Sequence, residues 1–229
     1  MSARLPVLVT RPEPGNAATV ARAAALGLDA RALPLFAAHA LPWTAPDPGD
    51  FDILLLTSAQ AVRLAGPELA KLAALPVHAV GSATGAAAAA AGLRVECTGA
   101  TDAQDLIDAM TSYDRPRILW LSGRERSVFD PRGATLTPLP CYGVDPLEAP
   151  AAWDALTAAP AVVLAHSTRG AARIGALAGA RRAHLSLIAI SAKAAAAAGD
   201  GWAGVTVTPT PDDAAMVTAA HHLCQKAQK

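Results

Sequence analysis

Aromatic residues make up only 4% of this 229-residue chain, and its three cysteines are scattered along it. Cys97, Cys141 and Cys224 are odd in number, far apart and without C-x-x-C spacing, which argues against a disulfide framework or a zinc site and for free buried thiols. His39, His78, His166, His184, His221 and His222 contain no His-Glu-x-x-His or comparable ligand spacing, so no metal site is expected. Neither Gly-x-Gly-x-x-Gly nor a Walker Gly-Lys-Ser/Thr occurs, which disfavours nucleotide binding in the usual modes. The formal net charge is zero, so no basic field invites nucleic acid. The apolar runs stop well short of the roughly 18 residues that a membrane span needs. The opening Met1-Ser2-Ala3-Arg4-Leu5-Pro6 leaves no room for a signal peptide's apolar stretch. A soluble, cytoplasmic protein without nucleic-acid or membrane partners is the expectation.

What the chain does have is a statement made twice. Residues 52–62 form an apolar run that ends in Thr57 and Ser58 and then turns helical; residues 161–172 repeat this with Ser167 and Thr168. Each is followed by a second matched unit, Ala79-Val80-Gly81-Ser82-Ala83-Thr84 and then Ala189-Ile190-Ser191-Ala192-Lys193-Ala194. Ser58 to Gly81 is 23 positions and Ser167 to Ser191 is 24. Two similar α/β units would make a cleft, where a small molecule usually binds. Hydrophobic residues reach 52%, much of it alanine, which favours close-packed helices.

Strands and helices alternate along most of the chain, implying mostly parallel sheets covered on both faces. Leu5 to Thr10 has the character of a buried strand. Asn16 is placed to cap the next helix, which ends at Gly27, and a second strand is expected over Ala30 to Leu35. A proline-rich connector, 41–49, precedes strands at Ile53–Leu56, Val77–Val80, Arg94–Cys97 and Ile118–Leu121, with helices near Ala59–Ala65, Ala83–Ala91 and Asp102–Met110. A second proline-marked passage, 138–146, separates this block from strands at Ala161–Ala165, Leu187–Ile190 and Val205–Thr208, with helices Gly170–Leu177, Ala192–Ala198 and Asp212–Leu223. The predicted fold is therefore α/β, with two similar domains, each a mostly parallel sheet flanked by helices. The first domain is discontinuous, residues 1–36 and 146–229; the second is 41–139, and hinge strands 37–40 and 140–145 join them.

In that architecture the motifs resemble the uroporphyrinogen-III synthase family. Val7-Leu8-Val9-Thr10-Arg11-Pro12 is similar to the family's first strand and Thr-Arg-Pro turn, and Leu33-Pro34-Leu35 to its Pro-Leu strand end. Leu55-Leu56-Thr57-Ser58-Ala59-Gln60-Ala61-Val62 resembles its Phe-Thr-Ser-x-x-Ala-Val element, and Gly81 to Thr84 its Val-Gly-x-x-Thr loop. Ile118 to Glu125 is similar to its strand ending in Gly-x-Glu, and Tyr142 falls where the family places a tyrosine on the second crossing segment. Two departures stand out. Ser191 and Ala194 replace the glycine and threonine of the second repeat, leaving Ser191 or Lys193 as substitute donors. The stretch from Gly123 to Tyr142 is short, so the second domain is expected to lack most of one helix.

The resemblance implies a cofactor-independent carbon-oxygen lyase acting on hydroxymethylbilane, a linear tetrapyrrole with eight carboxylates. Loss of its hydroxyl gives an electrophilic azafulvene, which the last ring attacks before a spiro intermediate recloses with that ring inverted. The protein's main task is then control of geometry. Thr57, Ser58, Gly81, Ser82, Ala83, Thr84, Ser122, Ser167, Thr168 and Ser191 lie at or near strand ends, where open α/β sheets bind ligands. Helix capping is the competing reading for the serines and threonines. Arg11, Arg124 and Arg169 are candidates to pair with substrate carboxylates, whereas Arg126 is assigned to the solvated surface. Tyr142, protonated at neutral pH, is the candidate proton donor to the departing hydroxyl; the alternative is a ring that only packs. A monomer is expected, and a transient contact with the preceding pathway enzyme is compatible with it. Two other readings stay open: a two-domain binding or regulatory paralogue without turnover, and an oxidoreductase, which would need the missing glycine fingerprint.

Overall fold

The computed structural model describes residues 5–99, 103–110, 114–126 and 128–227. The chain opens with β1 (Val7–Val9), α1 (Gly15–Ala25) and β2 (Ala30–Ala32). It continues through β3 (Phe36–Ala40), β4 (Ile53–Leu56), α2 (Ala59–Leu64), β5 (Val77–Val80), α3 (Ser82–Ala90), β6 (Val95–Gly99), α4 (Ala103–Asp108), β7 (Arg117–Gly123) and β8 (Thr135–Pro146). It closes with α5 (Ala152–Thr157), β9 (Ala161–Ala165), α6 (Thr168–Ala178), β10 (Leu185–Ala189), α7 (Ala192–Ala198), β11 (Gly204–Val207) and α8 (Asp213–Lys226). Two compact units result: residues 1–37 with 146–229 form unit 1, and 38–145 form unit 2.

The sheet of unit 1 has the order β11-β10-β9-β1-β2, and all four pairings are parallel. Its interior strands are apolar throughout, as burial on both faces demands: Val7 to Val9 and Ala161 to Ala165 are all buried. One face is filled by Met216, Ala220 and Cys224 of α8. Asn16 does not cap α1, which begins at Gly15; its amide instead donates to the Val9 and Arg11 carbonyls at 2.8 and 3.0 Å. The Val9 carbonyl also accepts from the Leu33 N–H at 2.8 Å, so the Asn16 amide is a second donor there and fastens the turn after β1 to the start of α1. The strand expected over 30–35 is shorter, and the residues beyond it enter β3 of the other sheet. Helix α5, with Trp153 buried, went unforeseen in the sequence.

Helices α6 and α7 meet at Gly175, where a built Cβ would lie 2.3 Å from the Ala198 carbonyl oxygen. Alanine-rich surfaces are what allow so close an approach. The Arg182 guanidinium donates to the Gly175 carbonyl and stacks 5.7 Å over Trp202, closing the end of α6.

The sheet of unit 2 has the order β3-β8-β7-β4-β5-β6, with β4, β5, β6, β7 and β8 in parallel pairings. Leu54 and Leu56 face a core with α2 and α3, and Ile53 and Leu55 face a second core with α4. The passage 138–146, expected to be a connector with its hinge strand at 140–145, belongs to the twelve-residue β8. Its prolines fit because the Thr135 N–H donates to the Pro116 carbonyl, which turns residues 135, 137 and 139 toward β7. Pro138 and Pro140 therefore present their missing N–H groups to the other side, where the short β3 reaches only the far end.

Between β7 and β8 run only eleven residues, 124–134, with no helix among those described. The return path along β7 is about 20 Å, and eleven helical residues would cover only about 16 Å. Phe129 and Ala134 of this segment pack on the core of Ile53, Ile118 and Trp120. Among the described residues no helix is long and apolar enough to cross a membrane.

Gly175→Ala should destabilise unit 1 by about 1–3 kcal/mol, because overpacking here meets backbone rather than a movable side chain. Urea unfolding would read it as a lowered midpoint; an unchanged midpoint would show that α6 and α7 are free to separate.

Candidate active site

In unit 2 the carboxyl ends of β4, β5 and β7 meet β8 around a cavity of about 460 Å³. Thr57, Ser58, Gly123, Glu125, Arg126 and Tyr142 line it, with Trp120, Phe129 and Gln104 among the remaining walls. Ser58 caps α2, accepting from the Gln60 N–H at 3.2 Å. The Thr57 hydroxyl accepts from the Trp120 indole at 3.0 Å, and the Trp120 ring stands 4.6 Å from that of Phe129. Gln104 fastens the long crossover to α4: its side-chain oxygen accepts from the Asp130 N–H at 2.7 Å and its amide donates to the Asp130 carbonyl at 3.1 Å.

Tyr142 owes its position to an irregularity. The β7–β8 register shifts between Ser122 and Gly123, so Gly123 pairs with Tyr142 after Ser122 pairs with Pro140. A Cβ on Gly123 would come within 2.9 Å of the Tyr142 ring carbon Cζ and 3.1 Å of its hydroxyl oxygen. Only glycine leaves room for the phenol to lie across the strand. Burial raises the phenol above its ordinary value, and a hydrogen bond with Ser58 partly offsets this. The group thus stays protonated and able to donate throughout the neutral range.

The other expected residues divide into three groups. Ser122 and Thr84 are buried, and the Ser122 hydroxyl has no partner among the described residues. Thr84 is the third residue of α3 and faces inward, so burial takes its hydroxyl away from solvent. Arg124 is engaged, pairing with Asp145 and, at 3.1 Å, with Glu125; its backbone N–H donates to the Tyr142 carbonyl at 2.8 Å. Ser82 and Ala83 are exposed at the start of α3, after Gly81, whose φ of +80° suits glycine. Cys141, next to the candidate acid, is buried, and its thiol is pushed up to about 12, which makes it inert.

In unit 1 the Ser167 and Ser191 hydroxyls cap α6 and α7, accepting from Gly170 and Ala194 N–H groups at 3.0 and 3.2 Å. The exchange of glycine and threonine for Ser191 and Ala194 is therefore compensated locally. Gly81 cannot cap with a side chain, whereas Ser191, at an ordinary extended φ of −159°, can. Ala194 is buried at the position equivalent to Thr84. Lys193 is exposed, and Thr168 opens α6. Arg169 stacks 4.9 Å over Phe36.

Arg11 is half-buried in a cluster that has no local signal in the sequence. Asp213, the first residue of α8, lies 3.4 Å from Arg11, pairs with Arg22, and accepts from the Thr19 hydroxyl at 2.6 Å. His166 Nε2 lies 2.8 Å from the same carboxylate. Burial pushes the His166 imidazole down to about 3, with the Arg11 charge adding to it, so a neutral ring donates to Asp213. Arg11 and Asp213 are 202 positions apart, and only the sheet order brings them together.

No cluster of His, Cys, Asp and Glu among the described residues is suited to a metal. Parallel sheets that carry small hydroxyls and backbone N–H groups at their carboxyl edges, with a tyrosine-walled cavity, define an α/β protein that takes a small-molecule ligand. A family model described as uroporphyrinogen-III synthase HemD matches residues 17–218, and the chain belongs to that family. Membership makes it an enzyme of tetrapyrrole synthesis with a small-molecule substrate. Among solved structures, it resembles the uroporphyrinogen-III synthetase of Helicobacter pylori at 16% identity and a TM-score of 0.67, with 96% of this chain and 100% of that one covered. A mutant uroporphyrinogen III synthase from the extremely thermophilic bacterium Thermus thermophilus aligns at 17% identity and a TM-score of 0.56, covering 98% and 100%. These likenesses establish a shared fold. No curated protein sequence matches.

Gly123→Ala should displace the Tyr142 phenol and lower turnover more than it lowers the unfolding midpoint. Parallel losses in both would show that the glycine serves packing only. The His166 shift predicts a pH dependence of stability. An unfolded histidine titrates near 6.5, so the unfolded state binds the extra proton between about pH 3 and 6.5. Stability is lost as pH falls through that window, by up to about 1.4 kcal/mol per pH unit. In urea titrations at pH 5 and 7, His166→Gln should shrink the difference between the two, and an unchanged difference would remove His166 as the cause.

Proposed function

We propose that this chain cyclises hydroxymethylbilane to uroporphyrinogen III, with loss of water and inversion of the last pyrrole ring, as a cofactor-independent carbon-oxygen lyase. The observation that carries the reading is the half-buried, protonated Tyr142 phenol held across Gly123 in the wall of the unit 2 cavity. In the proposed mechanism that phenol donates to the departing hydroxyl of the substrate. Water leaves with that proton, and the resulting azafulvenium ion is attacked at the substituted carbon of the last ring. The spiro intermediate fragments and recloses with that ring inverted, and the proton lost on rearomatisation returns to the Tyr142 phenolate. Ser58 orients the phenol, and the apolar walls from Trp120 and Phe129 limit water that would otherwise capture the electrophile.

A cavity of about 460 Å³ suits a drug-sized ligand. It therefore holds part of the tetrapyrrole, with the remaining carboxylates met elsewhere by N–H groups and hydroxyls. Candidates for those contacts are Gly81, Ser82, Ala83, Arg11, Ser167, Thr168, Arg169, Ser191 and Lys193. Residues 1–36 with 146–229 and 41–139 are proposed as the two domains, joined through 37–40 and 140–145. The working form is proposed to be a cytoplasmic monomer.

The test uses fresh hydroxymethylbilane, oxidation of the products, and separation of the type I and type III porphyrin isomers. Type III in excess, dependent on the protein, is the expected outcome; only type I at the uncatalysed rate from folded protein would refute the reading. Tyr142→Phe should lower the rate of type III formation by about 10²-fold or more, the usual contribution of a positioned acid, with the unfolding midpoint retained. Undiminished turnover would take Tyr142 out of the mechanism.

A further inference from the structure

Two cations enter the sequence within three residues, and the fold treats them differently. Arg124 is spent internally: Asp145 and Glu125 both pair with it, and the His39 ring lies 3.6 Å from Asp145 on the far side. Arg124 is absent from the cavity lining, whereas Arg126 is part of it. Among the described residues Arg126 makes no ion pair and no hydrogen bond, although Glu125 is its near neighbour in sequence and shares the cavity. The negative charge of Glu125 is answered by Arg124. A guanidinium with five donors therefore lines the cavity with no acceptor among the described residues.

The walls around it supply what a carboxylate-bearing ring needs. Trp120 and Phe129 offer aromatic faces, and Thr57, Ser58 and Tyr142 offer hydroxyls. The crossover that carries Arg126 is anchored beyond it by Gln104 to Asp130 and by Arg132 to Asp108 at 2.9 Å. These contacts fasten residues 130 and 132 without using Arg126.

We propose that Arg126 is the carboxylate anchor of the unit 2 cavity, taking an acetate or propionate group of the tetrapyrrole through a bidentate pair. Arg124 is a positioning residue that neutralises Glu125 and leaves Arg126 available. The inference rests on the synthase reading for the identity of the ligand, and on the cavity alone for its charge.

The test measures binding of uroporphyrin III, an unreactive octacarboxylate, by titration calorimetry, alongside KM and kcat for hydroxymethylbilane. Arg126→Ala should weaken uroporphyrin binding about tenfold, the effect of losing one charge-assisted pair. It should raise KM by a similar factor with a smaller change in kcat. Arg126→Lys should recover part of the loss, and Arg94→Ala, which removes an exposed charge outside the cavity, should leave affinity in place. Unchanged affinity and KM in Arg126→Ala, in a wild type that makes type III isomer, would overturn the anchor and leave the synthase reading standing. A wild type that binds uroporphyrin through Arg126 but yields only type I would do the reverse. Absence of uroporphyrin binding by the wild type would also overturn the anchor.

Discussion

Parallel strand pairing is the constraint on which both units depend. Each pairing described between neighbouring core strands is parallel, so successive strands must all end at the same edge of their sheet. After β4, β5, β9 and β10 a helix starts within three residues, and its first turn needs an acceptor for its free N–H groups. Ser58, Ser167 and Ser191 supply it, while Gly81 uses a left-handed backbone instead. Polar groups gather at one edge because the topology leaves them nowhere else to go. Chemistry at that edge uses groups that folding has already required.

Against this regular background the irregular features are concentrated. The shifted register at Ser122 and Gly123 turns Tyr142 across the strand, and the glycine makes the space. In unit 1 the departure is electrostatic, with one carboxylate, Asp213, serving Arg11, Arg22, Thr19 and His166. A charge shared this widely is costly to remove, since its loss would leave half-buried cations unmatched.

The two-unit α/β architecture is legible because each buried strand is a short apolar run closed by small polar residues, and because that grammar occurs twice. Strand β8 is not, since Pro138 and Pro140 signal a connector unless one knows which side of the strand lacks a partner. Asn16 misleads for a related reason: a polar residue before an apolar run suits a cap, yet here it serves the preceding strand. Tyr142, Thr57 and Ser58 can be singled out from the family's motifs. Thr84 can be singled out but its burial cannot, as inward facing at the third helical position depends on how α3 lies on its sheet. Arg126 reads as surface because neither the cavity nor the pairing of Arg124 has any local signal. The Asp213 cluster has none either.

The crossover of residues 124–134 does the work of a missing helix, and that gives it two roles that cannot be tuned apart. Phe129 and Ala134 cover one face of the sheet, and the same segment walls the cavity. The ordering entropy of that wall is therefore met during folding, which leaves less to be met when a ligand arrives. Heat and binding become linked through one short stretch of chain. On the proposed reading, a ligand in the cavity would stabilise the contacts that Phe129 makes with the sheet, and a substitution that loosens Phe129 from Trp120 would weaken fold and binding together.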